Sequence, residues 1–398
     1  MRAQNAAPIV SRRKFLHLSG GAALGAALAG TGVASSLLAA CGSSSSSSST
    51  TAASTATGAG SPSTTAAAVK ASYGTAAIQL SWIKNDEFSG EFIADSSGYY
   101  AAEGFSSVSL LSGGPTVSME PVVVAGQALL GLGSPDVTAS AILKGADLII
   151  IGAQYQKSPF AIMSLAKTPI NNPQEMIGKK IGVQSGNQAV WSAFLKVNNI
   201  NPSKLTTVPV QFDPSPLAVG TVDGWFSYYT NEPNLLRAKG VDVVTFLFND
   251  FGYPLVSETY AVKKGNLTSS RDKVKALLRA EIKGWHDSIA NPAAGPILAV
   301  TKYGKTLGLE VHEQTLESFS QNQLILTDDT TANGIFTLTP TAIDNSIKTL
   351  AIGGIDITAA QLFDMSVITE IYQENPELKT SPAPGPIPAT SGSTSSTT

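Results

Sequence analysis

The chain has one cysteine and three histidines among 398 residues, and only 14% of its residues are charged. A single cysteine has no partner for an internal disulfide. Besides Cys41 there are only His17, His286 and His312. No His/Cys/Asp/Glu cluster has metal-ligand spacing, and no Ser-His-Asp order is visible, so zinc and triad chemistry find no support and no cofactor is expected. Arginine is nearly absent after residue 40, where only Arg237, Arg271 and Arg279 remain. That leaves little for the bidentate forks that favour sulfonate or phosphate, although helix N-termini can also hold anions. The lone glycine-rich stretch Gly131-Leu132-Gly133 lacks a following glycine and a P-loop lysine, and is a weak nucleotide signal. Aromatics make up 7% of the chain, so a cluster of them carries information.

The N-terminus reads as an export address. Ser11-Arg12-Arg13-Lys14-Phe15-Leu16 sets a twin arginine before an apolar run from about Gly20 to Ala40, the pattern of a Tat-type signal. Leu38-Ala39-Ala40-Cys41 resembles a bacterial lipobox, which gives the single cysteine a use as a lipidation site. The rival is an uncleaved anchor, which would also hold the protein at the outer face of the cytoplasmic membrane. Residues 1–40 are thus expected to be a signal peptide, and residues 41–71, with seven serines from Ser43 to Ser49, a disordered spacer. The whole chain has 26 basic and 29 acidic residues, and residues 1–40 hold four of the basic ones and no acidic one. That leaves 22 against 29, or −7, an acidic balance that argues against nucleic acid as a partner.

Beyond Ser72, short apolar runs alternate with helical stretches, at Ala77–Leu80, Val108–Leu111, Leu148–Ala153, Lys180–Val183, Val208–Gln211 and Val241–Phe248. This alternation predicts an α/β fold with mainly parallel sheets. From Ser269 the pattern turns helical, with helices expected at Arg271–Ile289, Pro292–Tyr303, His312–Gln323 and Thr339–Ala351. A Pro/Ser/Thr tail, 380–398, is expected to be disordered.

A weak internal repeat refines this reading. Val124-Ala125-Gly126-Gln127-Ala128-Leu129-Leu130-Gly131 is echoed by Ala218-Val219-Gly220-Thr221-Val222-Asp223-Gly224-Trp225. Each is a helix end, a glycine turn and a short strand. A polar residue and proline follow, Ser134-Pro135 and Glu232-Pro233, suited to a helix with proline in its first turn. Both helices then end at Lys-Gly, at Lys144-Gly145 and Lys239-Gly240. If each copy belongs to one lobe, both lobes present strand C-termini and helix N-termini on the edge where open α/β sheets bind ligands.

The segment Trp82-Ile83-Lys84-Asn85-Asp86-Glu87-Phe88, continued by Gly98-Tyr99-Tyr100 and Glu103-Gly104-Phe105, resembles the opening of ABC-transporter substrate-binding proteins of the thiamine-pyrimidine and nitrate/sulfonate/bicarbonate type. The resemblance extends through Gly133-Ser134-Pro135-Asp136, Tyr155-Gln156-Lys157-Ser158-Pro159, Gly178-Lys179-Lys180-Ile181-Gly182-Val183 and Asn231-Glu232-Pro233. It implies a type II periplasmic-binding-protein fold of two α/β lobes, with a hinge, a ligand cleft and a helical C-terminal segment. The lobes are expected at 72–166 plus 257–379 and at 167–256, with crossings near Ser164–Ile170 and Tyr253–Ala261. It further implies a monomer that binds a small molecule and delivers it to a membrane ABC permease. The pyrimidine-binding members typically read Trp-x-Pro-Asn-x-x-His, whereas here Lys84 replaces the proline and Phe88 the histidine. The related fungal pyrimidine synthases rely on a pocket histidine and a cysteine cluster. This chain has neither, so no enzyme is expected.

Candidate ligand contacts in the first lobe are Trp82, for stacking a flat ring, Asn85, Phe88, and one of Glu87 and Glu91, of which Glu91 is preferred. An acid at a helix start has a structural use as well. Ser134 is a candidate through its hydroxyl, with helix capping as its other role, and Tyr155 and Gln156 follow from their place at a strand end. In the second lobe Ser185 and Asn187 open a helix after a strand. Trp225, Tyr228, Asn231 and Glu232 crowd around a strand end, with Trp225 and Tyr228 on opposite faces. Tyr253 and Asp250 precede the second crossing. These residues favour a flat heterocycle, a thiamine-precursor pyrimidine or a flavin-like ring, over a sulfonate or nitrate.

Overall fold

Ile149–Tyr155 is buried at every position, yet its residues serve two different cores. Ile149 and Ile151 join one apolar cluster and Ile150, between them, another, the two-residue period of a strand covered on both faces. In this computed structural model, which describes residues 72–114, 117–211 and 213–386, such strands form two mixed sheets. The expected export signal, lipobox with Cys41 and spacer lie outside the described residues.

In chain order the strands and principal helices of the first part are β1 (Gly74–Gln79), α1 (Ser89–Ser96), β2 (Phe105–Leu111), α2 (Met119–Val124), β3 (Leu130–Gly133), α3 (Pro135–Leu143) and β4 (Ile149–Tyr155). There follow β5 (Phe160–Leu165), β6 (Lys180–Gln184), α4 (Gln188–Val197), β7 (Thr206–Val210), β8 (Gly224–Tyr228), α5 (Glu232–Ala238), β9 (Val243–Leu247) and β10 (Ser257–Val262). The remainder is helical, chiefly α6 (Arg271–Ala290), α7 (Val311–Ile325), α8 (Pro340–Ile352) and α9 (Ser366–Glu374).

One sheet has the order β2-β1-β3-β10-β4 and the other β7-β6-β8-β5-β9. The two are built alike. β1 is parallel to β2 and β3 as β6 is to β7 and β8, and each sheet takes in one antiparallel strand, β10 or β5. The sequence repeat has a matching geometry. Gly126 and Gly220 have φ of 73° and 76°, and Gly145 and Gly240 have 95° and 76°. Behind them the same hydrogen bonds close each helix: Gln127 N to Val122 O mirrors Thr221 N to Pro216 O, and Ala146 N to Ala141 O mirrors Val241 N to Leu236 O. A left-handed residue there ends a helix at little cost only if it lacks a Cβ.

Two expectations need correction. β5 pairs with β8 and β9 in the second sheet, so the first crossing is Gln156–Pro159, not Ser164–Ile170, and the first lobe gives way to the second before residue 166. The second crossing is the stretch from Phe248 to Val256, and Ser257–Ala261 already belongs to β10 in the first sheet. Both strands were hard to see because each pairs only with strands distant in sequence. The expected tail boundary at residue 380 falls within the described residues, where Gly385 donates its backbone N–H to Ile289 O at 2.9 Å.

The first sheet packs one face on α6 and α9 through Ile78, Leu130, Ile151, Leu277, Ile282 and Trp285. A second cluster runs from Ile150 and Ala153 through the crossings to Ile162, Ile181 and Phe226, and a third closes the far face of the second sheet around Trp225. α1 and α6 approach backbone to backbone. A Cβ on Gly284 would meet Gly90 O at 2.1 Å, and one on Gly90 would meet the Trp285 ring at 2.2 Å. Gly284→Ala should therefore force the two helices apart and lower stability by about 1–3 kcal/mol. Urea denaturation of the variant measures this, and an unchanged midpoint would show that the contact is looser than described.

Candidate functional site

The parallel strands of both sheets end toward one cavity of about 440 Å³, the edge on which open α/β sheets place ligands. Ser81, Trp82, Ile83, Asn85, Glu87 and Glu258 line it from the first sheet. Phe160, Gln184, Asn187, Phe226, Tyr228, Asn231, Glu232 and Leu235 line it from the second, and Leu309, Glu313 and Gln314 from the helical segment. Strand alternation explains the wall in β8: Phe226 and Tyr228 face the cavity, while Trp225, just before them, points into the core behind. Phe160 and Tyr228 meet edge to face, their centroids 6.0 Å apart at 77°. The cavity thus has an aromatic wall and a polar floor.

Among the described residues four carboxyls line the cavity, and no lysine, arginine or histidine does. Glu87 and Glu258 are both 4% exposed, Glu313 6% and Glu232 8%. Glu258 accepts from Ser81 Oγ at 2.7 Å and from Tyr228 OH at 3.2 Å, the latter reaching across from the other sheet. It also shares a hydrogen bond with Glu87. Two carboxyls bond to each other only if one keeps a proton. Burial, then the charge of Glu258, hold Glu87 well above the usual carboxylate range. Burial also pushes Glu258 up to about 7, despite the donors of Ser81, Glu87 and Tyr228. Glu232 is likewise pushed up to about 7 by burial, against the opposing bond from Tyr228 N, which it accepts at 2.8 Å.

The loop that carries Asn85 and Glu87 rests on α7, a helix whose polar side chains turn inward. Asn85 Nδ2 donates to Glu317 Oε1 at 2.9 Å, Asp86 N to Gln314 Oε1 at 2.6 Å, and Gln321 Nε2 to Asp86 O at 2.9 Å. Gln154 Nε2 completes the support by donating to Glu87 O at 3.0 Å. Burial holds Asp86 and Glu317 above their ordinary values too. α7 also meets the second lobe, where Asn234 Nδ2 donates to Ser320 Oγ at 2.9 Å.

Of the expected contacts, Trp82, Asn85, Asn187, Tyr228, Asn231 and Glu232 come together in this cavity, and the others sit elsewhere. Phe88 is fully buried in the first core. Glu91, one helical turn beyond Glu87, is buried too deeply to reach the cavity and accepts from Tyr260 OH at 3.2 Å; of the two glutamates it is Glu87 that lines the site. Ser134 heads α3, but its hydroxyl donates to Asp136 and makes no capping bond. Tyr155 is buried behind the site, its OH donating to Gln321 Oε1 at 3.0 Å. Gln156 lines a separate depression of about 240 Å³ beside the crossings. Ser185 is exposed at the turn before α4, Trp225 is core, and Tyr253 packs on Phe248 with ring centroids 6.4 Å apart. Asp250 pairs with Lys157 at 3.4 Å. The sequence reading missed Glu258 and Glu313. An acid inside the apolar run Leu255–Val262 was the available signal for the first, and a helix polar on several faces for the second.

Residues 85–295, more than half of the chain, match the NMT1/THI5-like family. The chain belongs to this family. It is 25% identical over 236 residues to the riboflavin-binding protein RibY of Chloroflexus aurantiacus, covering 54% of this chain and 62% of the relative, less than two thirds of that protein's length. It is 23% identical over 255 residues to a formylaminopyrimidine-binding protein of Halalkalibacterium halodurans, covering 61% and 76% respectively. The periplasmic aliphatic sulphonate binding protein SsuA of Escherichia coli superposes with a TM-score of 0.57 at 14% identity, over 73% of this chain and 92% of its own. That likeness is one of fold alone. Both sequence relatives are named as binding proteins. Among the described residues no helix is long and apolar enough to cross a membrane.

A carboxyl whose folded pKa is raised binds more protons folded than unfolded. Its contribution to stability is complete below the ordinary value of 4.5 and is lost as pH rises through the folded one, about 7 for Glu232 and Glu258 and about 8 for Glu91. The melting temperature of the ligand-free protein should therefore fall by several degrees between about pH 5 and about pH 8. A thermal scan in that window that rises with pH would contradict the protonation states described here.

Proposed function

We propose that this protein is an extracytoplasmic solute-binding lipoprotein of an ABC importer. It captures a small, flat heterocycle between two lobes, stays tethered through Cys41, and delivers its cargo to a membrane permease. The observation that carries this reading is the cavity itself. At about 440 Å³ it falls within the usual range for small-molecule sites. It is bounded by both sheets, with Trp82, Phe160 and Tyr228 offering ring faces and edges, and Asn85, Asn187 and Asn231 offering amides. Such a wall fits a planar ring with hydrogen-bonding edges. Riboflavin and formylaminopyrimidine, named for the two relatives, are both of that class.

Sulfonate and nitrate fit less well. Oxyanion sites are built from Arg forks, ammonium groups or free N–H donors, and this cavity turns four carboxyls inward. An enzyme of pyrimidine synthesis on the same fold would need a pocket histidine and a cysteine cluster, and neither residue type lines the cavity. The fold does not by itself separate a receptor from an enzyme. The two sequence relatives, both named as binding proteins, favour the receptor.

A thermal-shift screen of the protein against pyrimidines, flavins, sulfonates, nitrate and amines tests this reading. At a hundredfold excess over Kd a bound ligand adds about 2.7 kcal/mol, several degrees in melting temperature. Ring compounds should give that shift. Trp82→Ala and Glu232→Gln should remove most of it while leaving the ligand-free protein within a few degrees of wild type. A response confined to sulfonates or nitrate would overturn the heterocycle assignment.

A further inference from the structure

Glu258 combines three features that do not belong together in an ordinary strand residue. It is 4% exposed, it carries an acid, and its φ is +45°, a left-handed backbone that a residue with a Cβ adopts only when its surroundings impose it. It is the second residue of β10, just after the second crossing, and its carboxyl collects donors from three places: Ser81 after β1, Tyr228 from the other sheet, and protonated Glu87. The titratable groups facing this pair are Glu91, Glu317, Tyr155 and Tyr228. None of them can supply a positive charge.

A second observation, independent of the acids, points to a ligand. Asn85 is 4% exposed and lines the cavity. Its Nδ2 is engaged by Glu317, while its Oδ1 accepts no hydrogen bond from the protein. A buried acceptor without a donor is costly, and a ligand N–H would satisfy it. Among the described residues no three His, Cys, Asp or Glu side chains are grouped to hold a metal ion, so the cation that fits is organic and brings N–H donors of its own.

We infer that the cleft selects an organic cation, and that Glu258 takes its charge, giving up a proton to solvent as the ligand seats. This rests on the receptor reading above and adds the ligand's charge to it. In the empty cleft a proton on Glu258 itself stands in for the missing positive charge, while Glu87 keeps the proton it donates. When an ammonium or protonated ring enters, its N–H donors replace that proton on Glu258, Asn85 Oδ1 accepts another, and Trp82 and Tyr228 face the cation with their rings. The proton leaves to bulk water, so charge is conserved. Glu258 is thereby a specificity-determining residue.

The test compares two ligands that share a ring and differ in charge: 4-amino-5-aminomethyl-2-methylpyrimidine, whose arm is an ammonium at neutral pH, and its neutral N-formyl derivative, with spermidine as an acyclic cation. Calorimetry in buffers of different ionisation enthalpy counts the protons. The amine should bind about tenfold more tightly than the formyl compound, a charge-assisted contact against a neutral one. It should release close to one proton at about pH 6 and almost none at about pH 8, with affinity rising about tenfold between them. Glu258→Gln should abolish the proton release and weaken the amine by about tenfold while leaving the formyl compound within about threefold, and the variant's own melting curve reports whether it folds. Glu87→Gln, which keeps a donor toward Glu258, should retain most of the amine affinity. Equal affinity for the two rings, or equal loss for both in Glu258→Gln, overturns the inference and leaves the receptor reading standing. If spermidine alone binds, with proton release, the heterocycle reading fails and the inference stands. If no cation binds, the inference is wrong.

Discussion

A set of carboxyls is buried in this protein without a counter-cation, and the architecture of the site follows from that constraint. Asp86, Glu87, Glu91, Glu258, Glu281 and Glu317 are all nearly inaccessible to solvent. An ionised carboxylate out of water is prohibitively costly unless it is paired, so these groups keep protons and bond to one another and to amides. Glu281 takes Tyr100 OH at 2.5 Å and Glu317 takes Asn85. The polar inward face of α7 makes sense only as the other half of this network. A helix that buries Gln314, Glu317, Ser318 and Gln321 would be a poor core element anywhere else.

The fold brings this network to a cleft by repetition. Each sheet has three parallel strands, an edge strand, and one antiparallel strand that arrives over a crossing. The crossing strands begin where the parallel strands end, so Phe160 at the start of β5 and Glu258 at the start of β10 meet the residues that follow β1, β6 and β8. The Tyr228 to Glu258 hydrogen bond then ties one lobe's strand end to the other's crossing strand. The contact between the lobes and the electrostatics of the site share the same atoms.

The sequence carried the local half of this account. Strand and helix alternation, the glycine-closed repeat and the aromatic cluster around Tyr228 each depend on residues close in the chain. Together with the family resemblance, which pointed to Trp82 and Asn85, they led to six of the cavity's residues, the others being Asn187, Tyr228, Asn231 and Glu232. The other half depends on pairing across long separations. β5 and β10 have neighbours far away in sequence; β5 is not legible as a strand, and β10 reads as a connection, which hid Glu258. The preference for Glu91 over Glu87 failed because the first turn after Asn85 is a tight 3-10 turn, Asp86–Phe88, and its geometry decides which acid faces the cavity. Trp225, read as a wall residue, is core because the wet face of β8 is set by the sheet's packing and not by composition.

The protonation of the buried carboxyls underlies everything said here of the site, and carbon-13 NMR of the glutamate side-chain carboxyl groups reads it directly in the ligand-free protein. Titration should show a group of glutamates, Glu258 and Glu232 among them, whose carboxyl carbons change shift near pH 7, with Glu91 near pH 8. Uniform titration of all glutamates near the ordinary value of 4.5 would mean that the cleft is wetter and its acids freer than this account requires.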